Sequence, residues 1–505
     1  MIGKRAPKAV KDALSKLDTG SDAYDSAYDS AMNRINGQVP DQAELAKQAL
    51  ALLTCAKRRL SSKELRAALG IETGEPEYDP DNCPDVEDIL ASCLGLVTID
   101  EDSNTIRLVH YTTQKYLERT LDRWFPDAQP MITDICISYL SLVRYSDPDL
   151  RIHVEDSDWY DYSACHWYRH ARLAPSRLPR VVNFLKHQPN VIRSEIACRG
   201  LRDQDLKPHL SLYDMKDFHI TGIHMAIRYD LEDATVALAQ EGLDLDSRDG
   251  YGTTPLMFAV LIDRKYLTEK LVGYNSPVDA RIGDKSSTPW AGFTALHFAA
   301  KYGRAEIAEM LLTNGAGINS EDVAGKTPLR HAVREGKLDV VRVLLNAKAE
   351  KTTPGQRPLI ASAKFDQTPE RSMEMVQLLL EAGADVNERV HPSLETALYS
   401  AAEYLDLESV RVLLQAGADP NITADRGISP LQAACKRGEK GGLPIAKLLL
   451  DHGANPNIPN DEGDTPYQLV VRWKKDEYAQ CLLQYGATLE PGLLQRPDSA
   501  MGPNN

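Results

Sequence analysis

The chain has few of the residues that staple, anchor or power a protein. Its 505 residues include eight cysteines (Cys55, Cys83, Cys93, Cys136, Cys165, Cys198, Cys435 and Cys481), scattered with no CxxC pair. That scatter excludes a disulfide framework and a clustered thiolate metal site, so the cysteines read as free thiols of a reducing compartment. The longest apolar run, Ala49 to Ala56, is far short of the ~20 residues needed to span a bilayer, and the first thirty residues hold no apolar signal core. A soluble intracellular protein is expected, cytoplasmic with the nucleus left open. The sequon at Asn421 to Thr423 then carries no weight.

Catalytic strings are missing as well. There is no GxxxxGK[ST] loop to cradle phosphate, no GxSxG elbow and no HExxH helix. His166 and His170 have the spacing of a zinc pair on one helical face, but Trp167 stands where a zincin needs Glu and no third ligand accompanies them. Asp79, Asp81 and Asp85 suggest calcium only superficially, because the EF-hand glycine is absent and Leu90 replaces the bidentate Glu. The expectation is no enzyme, no cofactor and no metal. Lys and Arg number 58 against 73 Asp and Glu, a net charge of -15 that repels nucleic acid and anionic membrane.

What is present is a repeat. Equivalent helix starts fall at Ile223, Leu256, Leu296, Leu329, Leu359, Leu398, Leu431 and Tyr467, giving successive differences of 33, 40, 33, 30, 39, 33 and 36. Eight units are predicted over 220–491, near the ankyrin period of about 33 residues. The copies from Gly292 (GFTALHFAAKYGRAEIAEMLLTNGAGIN) and Gly325 (GKTPLRHAVREGKLDVVRVLLNAKAE) resemble the ankyrin consensus along their length. Thr294 and Thr327 can cap a first helix, with Pro328 at its first position. Ala299, Ala300 and Ala332 let helices approach, Leu311, Leu312, Leu344 and Leu345 fill the seam to the neighbour, and Gly303, Gly336, Gly315, Gly383, Gly417, Gly453 and Gly486 suit turns needing positive φ. His224 and His297 are expected to serve the turn. Insertions at Gly273 to Ala291, Lys364 to Ser372 and Glu439 to Gly442 are expected as surface loops, and 492–505 as a disordered tail.

The amino-terminal half has a different pattern. An apolar helix at Ala46 to Ala56, a helix Lys63 to Leu69 capped by Ser61 or Ser62, a third at Asp85 to Cys93, and a hairpin of Leu96 to Ile99 with Ile106 to His110 describe a winged helix over 43–120. Its third helix begins with Asp85, Glu87 and Asp88 behind an acidic loop, which disfavours a duplex; Lys57, Arg58 and Arg59 read as a solvated helix end. A helical connector is expected over 121–219, after a partly helical segment over 1–42. The fold class is therefore mostly α: winged helix, connector, repeat solenoid.

DSAYDSAMNRI (25–35), ELAKQALALLTCAKRRLSSKELRAALGIE (44–72), GLVTIDEDSNTIRLVHYTTQKYLERT (95–120), WFPDAQ (124–129) and DYSACHWYRHAR (161–172) resemble the fungal NACHT–ankyrin family of NOD-like receptors. The resemblance covers most of the chain. It implies a winged helix, connector and ankyrin sensor following a nucleotide-hydrolysing NACHT domain, whose P-loop is absent here; the start of this chain would then lie in the linker after that domain. The same winged-helix segment is sometimes labelled after an inositol deacylase, which implies no esterase activity.

The functional expectation is a non-catalytic interaction scaffold or sensor that binds other proteins through the concave repeat face, with no nucleic acid or membrane partner and an open oligomeric state. The alternatives are the sensing half of a NACHT-type ATPase switch and a winged-helix DNA-binding regulator. Binding energy on such faces concentrates in aromatic and Arg anchors. By register the exposed candidates are Trp290, Tyr251, Tyr302, Arg334, Tyr404, Lys436 and Arg437, with Trp290 foremost as a bulky ring on an inserted turn.

Overall fold

The computed structural model describes residues 21–75, 77–100, 102–142, 159–200, 220–283, 289–349, 358–363, 369–390 and 392–488. The expected tail 492–505, residues 1–20 of the leading segment and parts of the connector and insertions lie outside them. Packing divides the chain into two compact units, Met1–Ala259 and Val260–Asn505.

The first unit opens with α1 (Ser21–Asn36) and α2 (Pro40–Cys55), followed by β1 (Leu60–Ser61), α3 (Ser62–Leu69), α4 (Val86–Ser92), β2 (Val97–Asp100) and β3 (Thr105–Leu108). Pro40 starts α2 where no amide donor is needed. Ser61 and Glu64 close a capping box that starts α3. The hairpin pairs Ile99 with Ile106, and β1 adds to its other edge in the order β1-β3-β2. Leu50, Leu65, Ile89 and Ile106 are buried and form the winged-helix core. The two-residue β1 was not foreseen; so short a strand has no alternation to read. Helix α5 (Tyr111–Arg119) holds α1 through Arg119 on Asp25 and through the Tyr116 hydroxyl on Asp29, which also takes Arg123 of the short α6 (Leu121–Trp124) at 2.9 Å.

The connector comprises α7 (Ala128–Leu140), α8 (Tyr160–Ala171), α9 (Leu178–Lys186) and α10 (Gln188–Gly200). Helices α7 and α8 pack closely, α7 also packs on α2, and a buried polar chain joins connector to winged helix. The Lys57 amide donates to the Tyr162 hydroxyl (3.1 Å), which donates to His170 Nε2 (2.9 Å), while His170 Nδ1 donates to Gln129 Oε1 (2.7 Å). Both His170 nitrogens are thereby engaged in packing the connector rather than in a zinc pair with His166. Burial pushes the His170 pKa down to about 3.

The first repeat pair, α11 (Gly222–Arg228) and α12 (Glu232–Gln240), belongs to this unit and packs on α9, with α10 also against α11. Tyr168 stacks on Tyr229 at 3.9 Å, and Arg228 meets the fully buried Glu195 at 2.5 Å. The connector therefore covers the face that a preceding repeat would have covered.

The second repeat spans the division, with α13 (Pro255–Leu261) and α14 (Lys265–Gly273). The second unit then carries six further pairs: α15 (Ala295–Tyr302) with α16 (Ala305–Thr313), α17 (Pro328–Arg334) with α18 (Leu338–Asn346), α19 (Pro358–Ala363) with α20 (Pro369–Glu381), α21 (Ala397–Tyr404) with α22 (Leu407–Gln415), α23 (Pro430–Lys436) with α24 (Glu439–Asp451), and α25 (Pro466–Arg472) with α26 (Asp476–Gln484). Every helix start read from the sequence falls in a first helix. From α15 to α25 each first helix packs on the next first helix, with Leu296, Ala299, Leu329, Ala332, Leu398 and Leu431 buried between them. Gly303, Gly315, Gly417 and Gly453 have φ between 78° and 88°, the left-handed region where a side chain is disfavoured.

Polar pins cross the seams. His297 Nδ1 accepts from the Thr294 amide (3.2 Å) at its own cap, which leaves Nε2 to donate to the Lys326 carbonyl of the next turn (3.1 Å). Gln432 does the same, accepting from the Ser429 amide (2.9 Å) and donating to the Asp464 carbonyl (2.9 Å). At the turn tips Asn421 Oδ1 accepts from the Asn455 amide and Asn457 Oδ1 from the Thr488 amide. His224 likewise reaches the Thr253 carbonyl at 3.0 Å, so the repeat histidines serve turns as expected. Two of the expected loop insertions are corrected: Glu439 to Gly442 is the first turn of α24, a 13-residue helix, and residues 369–372 of the Lys364 to Ser372 stretch open α20, also of 13 residues. Pro444 lies inside α24, where it forgoes the amide bond to the carbonyl four residues earlier without ending the helix.

Burial holds the His297 pKa at about 4, and that of His170 near 3, against about 6.5 in the unfolded chain. The unfolded state therefore binds protons that the folded state refuses, and stability present above pH 6.5 is lost as pH falls toward these values. Unfolding free energies from urea titrations between pH 7 and 5 should fall with a limiting slope of about 1.4 kcal/mol per pH unit per imidazole. His297→Gln keeps the donor and acceptor that Gln432 uses and should flatten that slope.

Candidate protein-binding surface

Each first helix of the second unit buries its Leu and Ala face and leaves its last turn in the open. Counting from the caps Thr294, Thr327, Thr396, Ser429 and Thr465, the residues seven and eight positions on are Lys301 and Tyr302, Arg334 and Glu335, Glu403 and Tyr404, Lys436 and Arg437, and Arg472 and Trp473. The same offsets in these stacked helices make one ridge, whose equivalent positions in α19 lie outside the described residues. Arg334, Lys436 and Arg437 are exposed, Tyr404 is 53% exposed and Trp473 38%. Basic groups exceed the two carboxylates along it, whereas the chain as a whole is acidic.

The ridge is held from behind. The Lys475 ammonium donates to the carbonyl oxygens of Cys435 (2.6 Å), Lys436 (3.0 Å) and Arg437 (2.5 Å), closing the end of α23 where backbone acceptors have no helical partner. It also lies 5.3 Å from the Trp473 ring and 5.4 Å from that of Tyr478. Arg472 is fixed by two bonds to Asp464, at 2.7 and 2.8 Å. The backbone at Lys436 and Arg437 is thus pinned while their long side chains stay exposed, which suits an adaptable contact.

Two of the expected anchors, Trp290 and Tyr251, sit elsewhere, and Tyr302 shares the ridge offset but is half-buried. Trp290 is only 5% exposed, its ring edge-on to Phe298 at 5.5 Å and its side chain bonded to Tyr302, so the expectation of an exposed ring on an inserted turn is corrected. The indole packs against Phe298, which removes its apolar surface from water. Tyr302 is half-buried, parallel to Phe298 at 6.4 Å, and burial raises its pKa. Tyr251 is half-buried in the first unit, in a turn organised by Asp249, which accepts its amide at 3.0 Å. Arg334, Tyr404, Lys436 and Arg437 do share the ridge. Trp473 was missed: its unit lacks the Leu and Ala that mark the register, although the eight-residue offset from Thr465 finds it.

In the winged helix the start of α4 is acidic. Glu87 and Asp88 of α4 face solvent and Asp85 pairs with Arg66 at 3.2 Å. Of the Lys57 to Arg59 run, Arg58 pairs with Glu64 at 2.5 Å and lies over the Tyr162 ring at 5.4 Å, a packing role rather than a merely solvated helix end.

Residues 263–355, 347–424 and 406–491 match the model of ankyrin repeats in three copies. The carboxy-terminal helix pairs are ankyrin repeats. Residues 35–126 match the winged helix domain of GPI inositol-deacylase. Within the ankyrin region the chain is 33% identical over 157 residues to the neurogenic locus Notch protein of Drosophila melanogaster, covering 28% of this chain and 6% of that protein. It is 33% identical over 156 residues to the human notch homolog protein 4, covering 29% and 8%. An ankyrin repeat protein of fowlpox virus is 28% identical over 125 residues, 25% of this chain and 82% of the viral protein. The chain thus spans less than a tenth of the Notch proteins it matches. Among solved structures, the ankyrin repeat domain of Bcl-3 aligns at 26% identity and a TM-score of 0.39, covering 46% of this chain and 99% of that one; that of human ASB11 aligns at 26% and 0.40, covering 47% and 100%.

The two classes of aromatic should separate on substitution. Trp290→Ala is expected to lower repeat stability by about 3–5 kcal/mol, the usual cost of emptying a buried aromatic site. Tyr404→Ala, at an exposed position, should leave the urea midpoint within error.

Proposed function

We propose that the chain is a non-catalytic scaffold or sensor that docks a protein segment along the ankyrin ridge of Arg334, Tyr404, Lys436, Arg437 and Trp473. The observation that carries this reading is the coincidence of exposed aromatic and basic side chains at the same two offsets in four repeats of one stack. Exposed tyrosine and tryptophan offer large contact area at low entropic cost, and arginine adds bidentate bonds to carboxylates, so an acidic segment with apolar anchors suits the ridge. On a chain whose net charge is -15, this mostly basic ridge meets a negatively charged partner with attraction rather than repulsion.

A second reading has its own support. Connector, winged helix and first repeat pack contiguously in one unit, through the Lys57, Tyr162, His170 and Gln129 chain and the Glu195–Arg228 pair. Such a coupled block suits the sensing half of a NACHT-type switch, in which ligand capture would be passed toward a nucleotide-hydrolysing domain. DNA binding is the weakest of the three readings, because an acidic recognition helix opposes the phosphate backbone.

Panning a random peptide library on the full chain tests the ridge. Enriched peptides should be rich in Asp and Glu and should lose at least about tenfold in affinity, roughly 1.4 kcal/mol, on the pair Lys436→Glu and Arg437→Glu or on Tyr404→Ala. Peptides indifferent to all three substitutions, yet sensitive to changes on the outer helices such as Arg411→Glu, would move the site.

A further inference from the structure

Solenoids ordinarily end in a unit whose outer face is polar, because that face has no neighbour. The last ankyrin pair here keeps the stacking residues instead. Val471 of α25 occupies the position of Cys435 in α23 and Ala402 in α21, both fully buried, yet Val471 is 38% exposed. Leu483 of α26 occupies the position of Leu450 and Leu414, each 6% exposed, yet it stands at 41%. Tyr467, four residues before Val471, and Ala479, four before Leu483, are half-buried on the same two helical stripes. The outer face of the final pair is therefore an apolar strip built for a neighbour.

The charges at its edge indicate which neighbour. At the turn between the two helices stand Lys474, just past the end of α25 with a φ of 56°, and Asp476, the first residue of α26, both exposed. The two helices run antiparallel, so the end of α25 and the start of α26 lie at one level. A two-fold axis parallel to them lays α25 of one copy over α26 of the other, still antiparallel. It brings Lys474 of each copy opposite Asp476 of its partner, while Tyr467 and Val471 meet Ala479 and Leu483. An isologous contact needs this self-complementarity, since one patch must match itself after rotation.

We propose that the exposed end face of the last ankyrin pair is a self-association surface, through which two copies of this chain pair by a two-fold axis. The contact is one helix layer deep, at the small end of specific interfaces, so the dimer is concentration-dependent rather than obligate. Pairing end to end leaves the ridge of each copy open.

Light scattering of the full chain from low to high micromolar concentration tests this. The mass should rise from 56.0 kDa toward twice that value. Leu483→Asp should return it to the monomer while the urea midpoint holds, because the side chain is exposed. Lys474→Glu and Asp476→Lys should each weaken the dimer about tenfold, and the two together should restore it, which a non-specific apolar contact would not do. A chain that stays monomeric at every concentration overturns the proposal; a fall in stability on removing residues 489–505 from that monomer would then assign the face to that segment. A dimer that survives Leu483→Asp also overturns it, by placing the association elsewhere.

Discussion

Everything in the repeat half depends on one constraint: a two-helix unit of this size cannot bury its own apolar seam. Leu296, Ala299, Leu329 and Ala332 leave water only because the next pair stands against them. Burial of this kind is non-directional and would tolerate sliding of one pair over the next. The polar pins remove that freedom. His297 to Lys326 and Gln432 to Asp464 each join one cap to the following turn, so position along the seam is fixed by hydrogen bonds whose loss inside a buried interface would be costly.

The first repeat meets the same constraint differently. Its open side is closed by connector aromatics, Trp167 and Tyr168 among them, and by a buried ion pair between Glu195 and Arg228. A buried pair adds little net stability over an apolar equivalent, but removing one partner strands the other. Its contribution is orientation: connector and repeat fit in one arrangement only.

The repeat and the winged helix were legible because both are written in local signals. Caps at Thr327 and Ser61, glycines at left-handed turns and apolar spacing of about 3.6 residues report on the chain's nearest neighbours in sequence. Most of the ridge followed from the same register. What could not be read depends on contacts distant in sequence. Trp290 turns inward because Phe298 and Tyr302 offer a pocket, which no local rule announces. The Tyr162 and His170 chain joins residues from three segments, and a metal-like spacing proved to be packing. Glu439 to Gly442 is polar and glycine-rich, which reads as loop, yet it is held as helix by the stack beneath it.

The cap pins run forward, from His297 to the Lys326 carbonyl and from Gln432 to the Asp464 carbonyl, but at the last pair Lys475 and Tyr478 reach back to the carbonyls at the end of α23. The final seam is therefore fastened in both senses. The stretch of ridge that carries Lys436 and Arg437 takes its shape from a side chain of the repeat that follows it, so a change made at Lys475 is felt one unit away, on a surface that residue does not itself form.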